Sequence, residues 1–77
     1  MVEAYLLVQS EVGRAAHVAT EVRKIPGVQS ADDVTGPYDV IIKVSADDVD
    51  QLGKLVVARV QAVEGITRTL TCAVVNL

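Results

Sequence analysis

Two segments of this chain have the same form. Ile25-Pro26-Gly27-Val28 and Val63-Glu64-Gly65-Ile66 both read apolar-x-Gly-apolar, each at the end of a helix-like run and the start of a strand-like one. Glycine just past a helical pattern lets the backbone turn out of the helix, so each segment marks a helix-to-strand joint. The chain therefore divides into two similar halves.

Residues 2–9, VEAYLLVQ, have the length and composition of a strand. Over 13–25, Ala15, Val18, Ala19, Val22 and Ile25 fall at helical spacing, with Glu21, Arg23 and Lys24 off the stripe. Ser10 or Gly13 is the expected cap. A second strand is predicted over 28–35, without clean alternation and with a bulge expected in it, and a third over 38–45. Asp47 and Asp48 open a second helix, where carboxylates suit the positive end of the helix dipole. Val49, Leu52, Val56, Val60 and Val63 form its buried stripe, and Gly65 stops it. The last strand is expected over 66–76.

Strand, helix, strand thus occurs twice, joined by a hairpin at Gly36. That order predicts a single domain over residues 1–77 of the α+β class, a ferredoxin-like βαββαβ fold: a four-stranded antiparallel sheet with two helices on one face. The opposite sheet face is then uncovered. Side chains alternate along strands, which assigns Ala4, Leu6, Val8, Val40, Ile42, Val44, Leu70, Cys72 and Val74 to the helix side. Tyr5, Leu7, Ile41, Ala73 and Val75 become the apolar centre of the open face, with Gln9, Asp39, Lys43 and threonines around it. An apolar patch with a polar rim marks an interface. A symmetric dimer through that face is expected. Leu55, Val57 and Ala58 add apolar surface to the second helix, enough for a further interface.

Composition narrows the function. With 77 residues and one cysteine, neither a disulfide framework nor a structural zinc site can supplement the small core. Self-association is the remaining route to extra burial. A net charge of −3 and no basic run longer than Arg23-Lys24 argue against direct nucleic-acid binding. No apolar stretch has membrane-spanning length, so a cytoplasmic location is expected. His17 lies beside the stripe of the first helix, and Cys72 reads as a small buried hydrophobe. The clusters Asp32-Asp33 and Asp47-Asp48-Asp50 lack metal-loop spacing. No catalytic residue, metal or cofactor is predicted, and the chain is read as a non-enzyme.

Thr35-Gly36-Pro37-Tyr38-Asp39 has more chemistry than a turn requires. Gly36 can bring backbone N–H groups close to a ligand, Pro37 stiffens the turn, Tyr38 offers a ring and a hydroxyl, and Asp39 can accept from a cation. Thr69 and Thr71 add hydroxyls from one face of the last strand. Those groups suit a zwitterion, whose carboxylate needs donors and whose ammonium needs acceptors. An ordinary hairpin followed by a threonine-rich strand is the other reading of the same residues.

Several stretches together resemble the effector-binding domain of the Lrp/AsnC family of amino-acid-responsive regulators, the RAM domain. They are A-Y-L-L-V at Ala4–Val8, P-G-V at Pro26–Val28, V-T-G-P-Y-D at Val34–Asp39, G-I-T-R-T at Gly65–Thr69, and Thr71. The resemblance covers essentially the whole chain. It implies a βαββαβ domain that pairs through its open sheet faces, dimers that build larger rings, commonly octamers, and amino-acid effectors bound between dimers. It places the effector site on Gly36, Pro37, Tyr38 and Asp39, with Thr69 and Thr71, from more than one subunit. Family regulators carry an N-terminal helix-turn-helix, whereas this sequence opens on the first strand. It therefore looks like a stand-alone effector domain, acting by hetero-assembly with full-length relatives or by sensing for another partner. Two competing functions share the fold: a small dimeric monooxygenase, disfavoured by two Tyr, one His and no Phe or Trp, and an ACT-like amino-acid sensor. RNA recognition lacks its stacking aromatics.

Overall fold

The computed structural model describes residues 1–75, apart from the side chain of Leu55. Strand β1 (Val2–Ser10) leads to helix α1 (Ala15–Val22), β2 (Val28–Asp33) and β3 (Val40–Ala46). Helix α2 follows over 49–61 and β4 (Ile66–Ala73) closes the sheet. The four strands lie in the order β2-β3-β1-β4, every neighbouring pair antiparallel. The ferredoxin-like architecture read from the two halves is the one the chain adopts.

The core is a single aliphatic layer. Ala4, Leu6 and Val8 of β1, Val40, Ile42 and Val44 of β3, and Ala31 of β2 are buried against Val18, Ala19 and Val22 of α1 and Leu52, Val56 and Val60 of α2. Full burial of one such side chain contributes about 1.5–3 kcal/mol. The core holds no aromatic ring, so it is filled by branched aliphatics packed close.

Both helices differ in detail from expectation. The α-helical bonding of α1 ends at Val22, and the chain continues through tighter i→i−3 bonds, Lys24 N to Glu21 O and Ile25 N to Val22 O, before Pro26. Its first turn has no side-chain cap: Arg14 occupies that position, Ser10 belongs to β1, and Gly13 turns the chain at φ +78°. In α2, Asp48 is the cap, its Oδ1 accepting from Gln51 N at 2.8 Å. An α turn at Val49–Gln51 passes into a π-helical stretch, Leu52–Val57, where Ala58 N donates to Gly53 O five residues back. A final α turn spans Ala58–Gln61. Val49, expected in the buried stripe, is 72% exposed because it is the first residue past the cap, ahead of the buried Leu52, Val56 and Val60. The side chain of Leu55 and the expected strand end at Asn76 lie outside the described residues.

The twin joints are structurally equivalent. Gly27 (φ +98°) and Gly65 (φ +102°) both adopt the left-handed backbone that glycine allows. The Gly27 carbonyl accepts from Ser45 N at the end of β3, and the Gly65 carbonyl accepts from Glu11 N just past β1, each at 2.8 Å. Each exit is followed by an unpaired extra residue. Val28 pairs with Val44 but Ser30 with Lys43, leaving Gln29 over. Ile66 pairs with Ser10 but Arg68 with Gln9, leaving Thr67 over. The bulge expected in the second strand is present, and the last strand carries its equivalent.

That second bulge reverses the facing assigned to β4. Directly opposed residues share a sheet face, and one extra residue exchanges the faces for the rest of the strand. With Thr67 bulged, Thr69 lies opposite Val8, Thr71 opposite Leu6 and Ala73 opposite Ala4, all on the helix side. Leu70 lies opposite Leu7 and Cys72 opposite Tyr5, on the open side, where both are exposed. The assignment of Leu70 and Cys72 to the core, and of Ala73 to the open face, is corrected accordingly. Val75 lies past the end of β4 and is 73% exposed.

Two glycine substitutions should separate. A Cβ on Gly27 would sit 2.6 Å from Val56 Cγ2 and 3.0 Å from the Ser45 carbonyl oxygen, whereas one on Gly53 meets nothing within 4 Å. Gly27→Ala is expected to destabilise the fold by about 2 kcal/mol or more. Gly53→Ala should stabilise it by roughly 0.5–1 kcal/mol, the usual gain over glycine inside a helix. Urea denaturation of both variants measures the difference.

Candidate functional site

Residues 34–39 join β2 to β3 at the end of the sheet where β1 finishes. Val34 N donates to the Asp39 carbonyl at 2.9 Å, closing the loop, and Asp39 N donates to the Val8 carbonyl at 2.8 Å, tying it to β1. Strands β2 and β3 are shorter here than expected, ending at Asp33 and starting at Val40. Thr35, Gly36 and Pro37 are exposed, while Tyr38 and Asp39 are half-buried.

Two residues that sequence reasoning left out support this loop. Asp39 Oδ2 accepts from Ser10 N at 2.8 Å and from Ser10 Oγ at 3.4 Å. Gln9 Nε2 donates to the Pro37 carbonyl at 3.0 Å. Behind them, Thr67 Oγ1 donates to the Gln9 carbonyl at 3.2 Å. The loop, the end of β1 and the bulge of β4 thus form one connected corner. The signal for the bulge alone was available in the repeated helix exit, which places equivalent bulges at Gln29 and Thr67.

Thr69 and Thr71 are not part of that corner. They project to the helix side of β4, which is separated from β3 by β1 and so lies about 10 Å away. Thr69 Oγ1 accepts from Gln61 Nε2 of α2 at 3.0 Å. Thr71 lines a largely apolar pocket of about 400 Å³ between α2 and β4, together with Val49, Leu52, Gly53, Val57 and Ala73. A second crevice, of about 390 Å³, opens between the Gly27 joint and α2 with Asp47, Gln51 and Arg59 in its wall. No loop residue lines either space.

The open face of the sheet carries two rows across the strands. Asp32, Ile41, Leu7 and Leu70 form one, and Ser30, Lys43, Tyr5 and Cys72 the next. Tyr5 is 41% and Leu70 38% exposed. Lys43 Nζ lies 5.8 Å from the centre of the Tyr5 ring and 3.7 Å from Glu3 Oε2. Of the apolar residues expected on this face, Tyr5, Leu7 and Ile41 are there, and Leu70 and Cys72 take the place given to Ala73.

Among the described residues no group of three or more His, Cys, Asp or Glu could hold a metal ion, and no helix is long and apolar enough to cross a membrane. His17 is exposed on α1. Glu21, also on α1, has its carboxyl held below the usual range, chiefly by the hydrogen bond and charge of Lys24. That surface pair does not touch the loop.

The family of Lrp/AsnC ligand binding domains matches residues 3–76. The chain belongs to this family. An HTH-type transcriptional regulator of Pyrococcus furiosus is 35% identical over 54 residues, covering 70% of this chain and 36% of the regulator. The homocitrate synthase of Sulfurisphaera tokodaii is 36% identical over 52 residues, 68% of this chain and 11% of that enzyme. The Lrp/AsnC domain therefore spans only a fraction of the curated relatives it matches. Among solved structures, TTHA0845 from Thermus thermophilus superposes with a TM-score of 0.90 at 28% identity, covering all of this chain and 96% of that one. The Neisseria meningitidis transcriptional regulator NMB0573, solved as its L-Met complex, superposes with a TM-score of 0.82 at 22% identity over 97% of this chain and 50% of that one.

The facing of β4 is directly measurable. Cys72 is the single cysteine and is exposed. In a chain whose open face is kept unpaired by Leu70→Asp, a thiol reagent should label it fully without denaturant. Protection matching that of a core residue would restore the sequence-based facing.

Proposed function

We propose that this Lrp/AsnC domain is an amino-acid-binding regulatory module that self-associates and passes the effector signal to a partner controlling transcription or metabolism. Membership in a ligand-binding-domain family carries the reading. The L-Met complex of NMB0573 supports an amino acid as the ligand class. Relatives named as transcriptional regulators support a regulatory, non-enzymatic role, with a DNA-binding relative as the output partner and a cytoplasmic setting. The match to a piece of a homocitrate synthase favours a second form of the same reading, in which the module senses amino acid on behalf of a biosynthetic enzyme.

Self-association is supported by the open sheet face. Ile41, Leu7 and Leu70 present a contiguous aliphatic row, flanked by Tyr5 and Cys72, with Asp32, Lys43 and Arg68 toward its rim. A twofold contact buries the same patch on both copies, and further contacts between dimers would build a ring. The effector site is assigned to Thr35, Gly36, Pro37, Tyr38 and Asp39 of one chain, completed by Thr69 and Thr71 of another. The separation of loop and threonines within a chain supports a pocket shared between chains.

Two measurements test this. Calorimetry against each of the twenty L-amino acids, with light scattering on the same samples, should find at least one that binds and changes the particle mass. Twenty flat titrations would reject the amino-acid reading. Separately, Leu70→Asp places a charge in the central row of the open face and should shift sedimentation toward the monomer. A wild-type chain that sediments as a monomer at micromolar concentration would remove self-association.

A further inference from the structure

Asp39 is the acidic residue of the candidate loop, and direct contact with a ligand's ammonium is the obvious role for it. The hydrogen bonds assign it differently. Its Oδ2 faces inward to the end of β1, where it receives both the backbone N–H and the hydroxyl of Ser10. The regular β1–β3 pairing stops at Val8 and Val40, so Ser10 lies beyond the last pair. Past that point a side-chain carboxylate oxygen serves Ser10 as acceptor, and the chain is free to leave the sheet as a loop. The Asp39 backbone is engaged as well, its N–H with Val8 and its carbonyl with Val34. Gln9 grips the other side of the turn through the Pro37 carbonyl. A residue held at three points over one turn is suited to fixing shape.

We propose that Asp39 is a positioning residue: through Ser10, and with Gln9 at Pro37, it buckles residues 36–39 against the end of β1, and the ligand's charge is met by other groups. This deepens the amino-acid-binding reading and rests on it. A buckle and a charge contact differ in one respect. A buckle needs an acceptor oxygen of the right shape for Ser10 N–H, and an asparagine carbonyl supplies one. An ammonium contact needs the negative charge, and asparagine does not supply it.

The test uses the whole chain as wild type, Asp39→Asn, Asp39→Ala and Gln9→Ala, each titrated calorimetrically with the twenty L-amino acids one at a time. Thermal melts report whether each variant is folded. For whichever amino acid binds the wild type, Asp39→Asn should stay within about threefold of the wild-type Kd. Asp39→Ala should weaken binding about tenfold or more, the scale of losing a charge-assisted hydrogen bond. Gln9→Ala should weaken it severalfold with its melting temperature unchanged, a split that a purely structural residue would not give. Equal losses in Asp39→Asn and Asp39→Ala would show a charge contact and overturn the inference, as would wild-type affinity in Gln9→Ala. Those outcomes leave the amino-acid reading standing, whereas a wild-type chain that binds none of the twenty ends both. If Asp39→Ala does not fold, Asp39→Asn and Gln9→Ala still decide the matter.

Discussion

The composition of both sheet faces on this domain depends on one extra residue in an edge strand. Thr67 is accommodated in β4 between the pairs Ile66–Ser10 and Arg68–Gln9, with its hydroxyl on the Gln9 carbonyl. The Gly65 carbonyl, bound to Glu11 N, anchors the strand just before it. Because the side-chain period of a strand is two, a single inserted residue exchanges the faces of everything that follows. Leu70 and Cys72 are thereby turned to the open side and extend the apolar rows begun by Ile41, Leu7 and Tyr5. Thr69 and Thr71 are turned to the helix side, toward Gln61 and the pocket beside Gly53. An unbulged β4 anchored at the same Ile66–Ser10 pair would put the threonines on the open face and break the aliphatic row.

The same device occurs in the other half. Gln29 bulges after Gly27 as Thr67 does after Gly65, and the Gly27 carbonyl is held by Ser45 N. The two joints are related by an internal repeat, so each half folds its returning strand onto the end of the other half's first strand. This explains why glycine is demanded at both joints. At Gly27 the positive φ is compounded by Val56 and the Ser45 carbonyl, and at Gly65 by Val18 and Arg14. The helix exit packs directly against the opposite helix, and a side chain there would separate the layers.

The element order, sheet architecture and core were legible because they rest on strong signals. Helical spacing identified Val18, Ala19, Val22, Leu52, Val56 and Val60, and alternation identified the core faces of β1 and β3. Alternation failed in β4 because T-L-T-C-A-V contains a purely apolar set, Leu70, Cys72 and Val74, which composition alone places under the helices in preference to Thr69, Thr71 and Ala73. The choice was made by the bulge, whose signal lay in the repeated Gly-apolar joint rather than in the strand. Read through that repeat, the irregularity expected at 28–35 would have been required at 66–67 too. The loop at 34–39 was recognised from its turn chemistry, but its supports were not. Gln9 and Ser10 look like the polar end of a strand, and their contacts at 28 and 29 residues' separation have no local signature.

The geometry also constrains how a ligand can meet both parts of the candidate site. The loop stands at the end of β3, the threonines project from the helix side of β4, and the buried side chains of Leu6 and Val8 occupy the strand between them. A free amino acid is too short to touch the loop and Thr71 of one chain around that strand. Under the proposed function, a ligand in contact with both would sit between copies, and its affinity would be coupled to assembly by mass action, since it would add bonding that the separated chains lack. The rigid corner at Gln9, Ser10 and Asp39 suits that arrangement. A loop already fixed on its own chain loses little freedom when a second chain closes over it, so the energy of ligand contact remains available to hold the copies together.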